Sequence, residues 1–397
     1  MNTKQLQLQL EAELKNILHY WIENTIDDQF GGFVGKRNGH NLRVVGASKG
    51  AVLNARILWT FSAAYNHSHK IEYLEVAHRA YYYLISNFWD HENGGLFWEL
   101  NEDGTLLNGR KQIYAQGFGI FGFSEYFRAT GKEAALEYAI ALFDLIEKYS
   151  HDPVYGGYVE ALSQDWSQLD DMRLSAKDAN EPKSMNTHLH LLEPYTNLLR
   201  VMNDNELELR IEEMIRIFLD KIIDPETHHL DLFFGHDWEV RSAIFSYGHD
   251  IEAAWLLYEA AEQLGKKELI KEVETSLFRI VNAVIADGCD KDGSIFYERD
   301  LVTKHLDTDK HWWPQAEAMI GFTYAAQISG NKKYLENLTA VWRFIQDKIV
   351  DKTNGEWFWS VDQAGNPNRK EDKTGFWKCP YHNARAMMEV VRVLKLI

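Results

Sequence analysis

Cysteine, proline and cationic side chains are scarce in this sequence, and each shortage excludes something. Two cysteines in 397 residues, Cys289 and Cys379, allow neither a disulfide framework nor a cysteine-rich metal cluster, and they fit a reducing cytoplasm. Lysine and arginine number 42 against 59 aspartates and glutamates, a formal net charge of −17. Such an acidic surface repels phosphate backbones, so no nucleic-acid partner is expected. No run of 18 apolar residues occurs, and the opening MNTKQLQLQLEAELKN alternates polar with apolar residues. Neither a membrane span nor an ordinary export signal is expected, which again points to the cytoplasm. The seven prolines fall mostly between helical segments; Pro194, inside LLEPYTNLL, is the exception and is expected to kink its helix.

Apolar residues, by contrast, make up 45% of the chain, enough for a sizeable packed core. Aromatic residues reach 13% and cluster in polar company, as in FWDHENGGLFWEL, KHWWPQ, GEWFWS and GFWKCPYH. A large helical core accounts for many of them. Aromatics beside polar side chains also suit sugars, covering the flat apolar ring faces while their neighbours bond the hydroxyls.

An internal repeat organises the whole chain. A glycine turn followed by aromatic or apolar residues recurs in QFGGF (Gly32), NGGLFWEL (Gly95), VYGGYVE (Gly157), DGSIFYE (Gly293) and NGEWFWSV (Gly355). The turns stand roughly 62 residues apart, and THHLDLFFG near Leu230 fills the one double-length gap, making six units. Between them, apolar periodicity predicts helices near 5–22, 49–65, 71–88, 112–129, 132–149, 184–203, 205–222, 245–264, 267–285, 312–329, 332–348 and 379–395. The first helix lacks a partner before it and the last lacks one after it, so each can complete the other. The expected fold is all-α: an (α/α)6 barrel, with residues 1–397 as one domain of twelve helices in six hairpin repeats.

The helix after each glycine turn carries unusual side chains amid small and apolar ones. They are Arg56 in GAVLNARILW, Tyr114 in KQIYAQGFGIFGF, Asn186 and His190 in MNTHLHLLE, His249 and Glu252 in SYGHDIEAAWLL, Trp313 and Glu317 in HWWPQAEAM, and Trp377 and His382 in GFWKCPYHNARAM. Spacings of three or four place such pairs on one helix face, so six converging helices furnish one polar pocket. A lone buried histidine is commonly a hydrogen-bonded core residue, and a glutamate three positions on can simply pair with it. Several imidazoles near one axis, however, cost stability unless they have partners or a catalytic use. His67, His69, His78, His91, His151, His228 and His305 sit at helix ends or in polar loops and are read as structural. HExxH and CxxC are absent, as are GxGxxG and GxxxxGK[ST] after a strand, so neither a metal nor a nucleotide cofactor is expected.

The segments GAVLNARILW, MNTHLHLL, SYGHDIEAAWL, WWPQAEAM and FWKCPYHNARAMMEV resemble those of the N-acylglucosamine 2-epimerase superfamily, and within it the cellobiose 2-epimerases, in matching order over essentially the whole chain. The resemblance implies the same (α/α)6 barrel and cofactor-free epimerisation or isomerisation of sugars. It makes His249 and His382 the acid/base pair, with His190 a third, supporting histidine. It also implies contacts from Arg56, Tyr114 and Asn186 to the C1 and C2 oxygens, Glu252 orienting a histidine, and Glu317 as a supporting carboxylate. Trp313 and Trp377 would stack on the sugar, and Asp178, in SAKDANEPK, would lie near its hydroxyls. His188, within NTHLH, stands where the family position is often aliphatic.

Inverting C2 of an aldose requires ring opening, removal of the proton alpha to the aldehyde, and stabilisation of the enediolate. Histidines serve as base and acid near neutral pH, and arginine suits the oxyanion. The expected substrate is a β-1,4-linked disaccharide such as cellobiose or lactose, turned over by a monomer. The nearer alternatives are an aldose–ketose isomerase and an N-acylglucosamine 2-epimerase of the same family. A glycoside hydrolase on this barrel is more distant, because it needs two carboxylates flanking the scissile bond.

Overall fold

A computed structural model describes residues 3–397. Its helices are α1 (Thr3–Thr25), α2 (Ala51–Ser68), α3 (Ile71–Tyr83), α4 (Ile113–Thr130), α5 (Glu133–Tyr149), α6 (Met185–Leu199), α7 (Asn205–Ile217), α8 (Tyr247–Leu264), α9 (Lys267–Ala283), α10 (Trp312–Ser329), α11 (Lys332–Phe344) and α12 (Tyr381–Leu394). α3, α7, α9 and α11 each end in a π-helical turn, which extends them to Phe88, Ile222, Gly288 and Ile349. Even-numbered helices form an inner ring in which α2, α4, α6, α8, α10 and α12 pack in succession and α12 returns to α2. Odd-numbered helices surround them, and α1 packs on α12, closing an (α/α)6 barrel. The seam is bonded: Trp21 Nε1 donates to Glu356 Oε2 (2.7 Å), Trp357 Nε1 to Glu13 Oε1 (2.8 Å) and Trp342 Nε1 to Gln9 Oε1 (2.9 Å). No described helix is long and apolar enough to cross a membrane.

Composition explains the two rings. Outer helix α9 buries Leu269, Val273, Leu277, Ile280 and Val281, a single stripe at helical spacing with charge on the other side. Inner helix α10 is buried continuously from Trp312 to Ala326, as a helix surrounded by others must be. Pro194 lies within α6 without ending it. Its missing N–H leaves the His190 carbonyl without an intrahelical donor, and Gly117 of α4 packs against that oxygen, where a Cβ would lie only 2.6 Å away.

Because every outer helix returns antiparallel, all six inner helices run the same way. The C-terminal ends of the first five join the next outer helix through short turns, with left-handed caps at His69, Gly131, Gly265 and Gly330. The long connections lie at the N-terminal ends and hold the glycine turns. Each turn closes an antiparallel bridge: Ile26 with Phe33, Trp89 with Leu96, His151 with Tyr158, Ile223 with Leu230, Cys289 with Ile295 and Val350 with Trp357. Five are locked by ion pairs of buried lysines: Lys49 with Asp27, Lys111 with Asp90, Lys183 with Asp152, Lys310 with Asp290 and Lys373 with Asp351, all at 2.8–2.9 Å.

Candidate active site

The inner helices deliver their polar residues in levels set by helical rise. Tyr114, Asn186, His249, Trp313 and His382 occupy the second or third residue of their helices, at the mouth beneath the long connections. Arg56, Phe118, His190, Glu252 and Glu317 are each the sixth residue, about one turn deeper. Trp377 belongs to the connection before α12, its ring 6.1 Å from that of Tyr114 and 5.9 Å from that of Trp98.

The rings of His249 and His382 share a neighbour, Trp313, with centroids 4.6 and 5.7 Å from its indole. His190 lies 5.1 Å from the Tyr114 ring, and Tyr114 Oη accepts a 2.6 Å bond from Arg56 Nη2. Arg56 is sandwiched among aromatic faces, 4.1 Å from the Phe118 centroid and 4.6 Å from that of Tyr381. Burial, followed by electrostatic coupling to the neighbouring His190, pushes His249 down to about 3. Burial, followed by Arg56 and Arg385, holds His382 well below the usual imidazole range. Both imidazoles are therefore neutral near pH 7, each with a lone pair available. Arg56 Nε, Asn186 Oδ1 and Glu252 Oε2 are buried without a hydrogen-bond partner, which leaves unmet polarity for a hydroxylated ligand to satisfy.

Beneath the histidines lies an ionic layer. His382 Nδ1 is 2.6 Å from Glu317 Oε1, and His190 Nδ1 is 3.2 Å from Glu193 Oε2. His249 Nδ1 instead meets Ser246 Oγ at 2.8 Å. Glu252, three positions after His249, does not pair with it. Its Oε1 lies 3.7 Å from His382 Nδ1 and its Oε2 3.9 Å from His190 Nε2, both on other helices. Burial and the adjacent Glu317 carboxylate push Glu252 up to about 7. Arg385 Nη2 reaches Glu252 Oε1 and Glu317 Oε1 at 2.7 Å each, and its Nη1 bonds Glu193 and Tyr381. Glu252, Glu317 and His382 have the spacing of a cation-binding set, and the cation seated among the two carboxylates is the Arg385 guanidinium. On the far side, Glu193 and Arg385 help wall a cavity of about 600 Å³ that opens at the C-terminal end of the barrel.

Asp178 stands apart from the inner ring. Its Oδ2 accepts the Ser175 N–H at 2.7 Å within the connection before α6. Its charge is near enough to raise both Tyr297 and Glu298; Glu298 reaches about 7, mainly through burial. The Tyr297 ring stacks on His311 at 3.7 Å and lies 6.5 Å from Trp313. The mouth thus has a rim of Asp178, Tyr297 and Glu298 above the histidine level.

Sequence reasoning did not select Glu193, Arg385, Tyr381 or Ser246. A signal existed for two of them, since Glu193 and Arg385 each follow a candidate histidine by three residues. His188 is structural, because its Nε2 accepts the Tyr158 N–H at 2.9 Å while Nδ1 donates to the Ser184 carbonyl at 2.7 Å. Gln116 and Gln315, likewise the fourth residue of their helices, bond the backbone after their own glycine turns.

The architecture recurs in known proteins. A cellobiose 2-epimerase of Bacteroides fragilis is 49% identical over 97% of this chain and 98% of its own. One from Dictyoglomus turgidum is 37% identical over 99% and 100%. The solved structure of cellobiose 2-epimerase from Bacillus thermoamylovorans superimposes with a TM-score of 0.94 at 36% identity, covering 98% of this chain and 99% of that one. The N-acylglucosamine 2-epimerase (GlcNAc 2-epimerase) family model matches residues 32–386. With the full length, the barrel and the order of its elements in common, the chain belongs to the N-acylglucosamine 2-epimerase family.

Proposed function

We propose that the protein epimerises C2 of the reducing-end glucose of β-1,4-linked disaccharides, converting cellobiose to glucosyl-mannose and lactose to epilactose. The observation that carries this reading is the convergence, from three different inner helices, of His249 and His382 at the mouth and His190 one turn deeper, beside the Arg56–Tyr114 pair, with His190 and His382 buried and His249 half-buried. Full-length relatives named cellobiose 2-epimerase support the same substrate class. The reading takes residues 1–397 as one catalytic domain, acting as a cytoplasmic monomer.

The chemistry follows from neutral imidazoles facing an opened sugar. One of His249 and His382 takes the C2 proton while the C–H electron pair moves toward C1, giving an enediolate. The other, which takes a proton from solvent as the adjacent enediolate charge favours its imidazolium, returns that proton to the opposite face of C2, and the first imidazolium releases its proton to water. Arg56 sits deep enough to stabilise the anionic C1 and C2 oxygens, with Tyr114 and Asn186 donating beside it. All six inner helices begin at this mouth, so their N-terminal dipoles also favour the anion. His190 assists ring opening, and Trp313 and Trp377 stack on the sugar faces. No step in this scheme requires a redox or metal cofactor. The rim of Asp178, Tyr297 and Glu298 supplies hydrogen-bonding groups for a second sugar. Return of the proton to C1 yields the ketose from the same intermediate. Glu252 and Glu317 are engaged by Arg385 and His382, which argues against a pair of free carboxylates for hydrolysis.

Proton NMR of cellobiose incubated with the protein in D₂O tests the reaction: C2 acquires deuterium and glucosyl-mannose accumulates. His249→Ala and His382→Ala, shown to be folded, are expected to abolish both. Absence of C2 exchange with the wild-type protein rejects the reading. Comparison of kcat/KM on cellobiose, lactose, glucose, mannose and N-acetylglucosamine tests the substrate, and a clear preference for the last moves the protein to the N-acylglucosamine branch.

A further inference from the structure

We propose that Arg385 is the positioning residue of the site, a single guanidinium that holds the carboxylates behind both His190 and His382 and so sets which ring nitrogen each presents to the sugar. The inference rests on the epimerase reading only for its kinetic consequence. The geometry is independent of it.

Four groups converge on this one side chain. Nη1 bonds Glu193 of α6 and Tyr381 of α12; Nη2 bonds Glu252 of α8 and Glu317 of α10 at 2.7 Å each. Two of these carboxylates each receive a histidine, Glu193 from His190 at 3.2 Å and Glu317 from His382 at 2.6 Å. An ionised carboxylate against Nδ1 requires Nδ1–H, which leaves the Nε2 lone pair for the pocket. Three carboxylates buried within a few ångströms cannot remain ionised without a cation among them. Arg385, 4% exposed, is that cation. Its planar fork also spans α6, α8 and α10 at once, which the point charge of lysine cannot do. Arg385 lies three residues after His382 on α12, so helix geometry fixes the distance between the base and the group that aligns its partner.

The charged and titratable groups facing His382 come from every neighbouring inner helix: Arg56 from α2, His190 and Glu193 from α6, His249 and Glu252 from α8, and Glu317 from α10. Tyr381 and Arg385 complete the set from α12 itself. Arg385 is among the cations that hold the His382 imidazolium unfavourable, after burial and Arg56. Removing it makes His382 easier to protonate and, since it also favours the Glu252 carboxylate, raises Glu252 as well, so the acid limb of kcat/KM moves to higher pH.

The test compares Arg385→Met and Arg385→Lys with wild type on cellobiose, after circular dichroism has established folding. Arg385→Met is expected to lower kcat about 100-fold, leave KM within about threefold, and move the acid limb upward. Arg385→Lys, which keeps the charge without the fork, is expected to restore the acid limb while kcat stays depressed. ¹⁵N NMR of the imidazoles adds a readout that needs no turnover. Wild type shows His190 and His382 as single Nδ1–H tautomers, and Arg385→Lys, the variant that serves if the methionine protein does not fold, shows mixtures. Unchanged tautomers in the lysine variant overturn the proposal, as does a folded methionine variant with an unmoved acid limb. Failure of wild type to exchange the C2 proton overturns the epimerase reading instead, and the tautomer result then stands or falls by itself.

Discussion

Nδ1 of His382 lies 2.6 Å from Oε1 of Glu317, and the same oxygen accepts Arg385 Nη2 at 2.7 Å while Oε2 accepts Trp255 Nε1 at 3.1 Å. Three donors from three side chains thus share two oxygens. Glutamine cannot meet them, because its amide NH₂ turns one acceptor into a donor facing another donor. Glu317→Gln is therefore expected to lower kcat on cellobiose about 10- to 100-fold with little change in KM, the size of loss seen when an outer partner of a site histidine is removed. Steady-state kinetics decides it: a rise in KM at constant kcat would place Glu317 in substrate binding instead.

Glu252 gives the site a titration near neutrality. Held at about 7 by burial and by Glu317, it is protonated at pH 6 and ionised at pH 8. Ionised, it stands 3.7 Å from His382 Nδ1 and favours the imidazolium formed when that ring gains a proton. The kcat of wild type is expected to rise as pH passes through about 7. In Glu252→Gln the rise should vanish, the rate staying near the acid plateau throughout. A pH–rate profile of the variant that retains the inflection assigns it to another group.

The barrel was legible because its signals are local. Amphipathic stripes marked the outer helices, continuous apolar character marked the inner ones, and glycine turns marked five of the six bridges. The fourth turn was faint for a physical reason: His228, rather than glycine, takes the left-handed conformation there, at φ 63°. Candidate residues on the inner helices were readable from helical spacing, but spacing says nothing about which helices face each other. His249 and Glu252 looked like a pair, yet Glu252 lies against His382 and His190 from other helices, and His249 turns to Ser246. Arg385 was overlooked for the same reason, since its three carboxylate partners lie on helices distant in sequence, and although Glu193 meets His190 on its own helix, its contacts with Tyr381 and Arg385 cross to α12. The rim of Tyr297 and Glu298 beside Asp178 joins two connections without periodicity, which sequence alone cannot bring together.

Gly117 links helix packing to the chemistry. A methyl group there would lie 2.6 Å from the His190 carbonyl and 3.5 Å from Pro194 Cγ, so α4 and α6 must part to accept it. Gly117→Ala is expected to cost about 1–3 kcal/mol by overpacking, which outweighs the gain in helix propensity of about 1 kcal/mol. Since the displaced residue is His190 itself, kcat should fall along with stability. Urea unfolding and cellobiose kinetics measure the two effects, and a variant more stable than wild type would show that the helices yield without strain.

The fourth unit departs from the lysine–aspartate lock of the other five. Phe245 stands in the register that Lys49, Lys111, Lys183 and Lys310 fill, two residues before the inner helix, and stacks on His229 at 4.4 Å. His229 Nδ1 is 2.7 Å from Asp250 Oδ2 and its Nε2 3.3 Å from Asp287 Oδ2. Burial opposes its charge, but the two carboxylates prevail and raise it above the usual imidazole value. A histidine raised in the folded state contributes stability that is complete below its unfolded pKa of about 6.5 and is lost as pH climbs through the folded value. His229→Gln should therefore lower the melting temperature most at pH 6, with the deficit shrinking toward pH 9. Asp250 adjoins His249 at the start of α8, so the same loss should loosen the base and reduce kcat more than KM. Melting curves of both proteins across that range decide the point, and a deficit independent of pH would mean that the imidazole is held neutral and acts by packing alone.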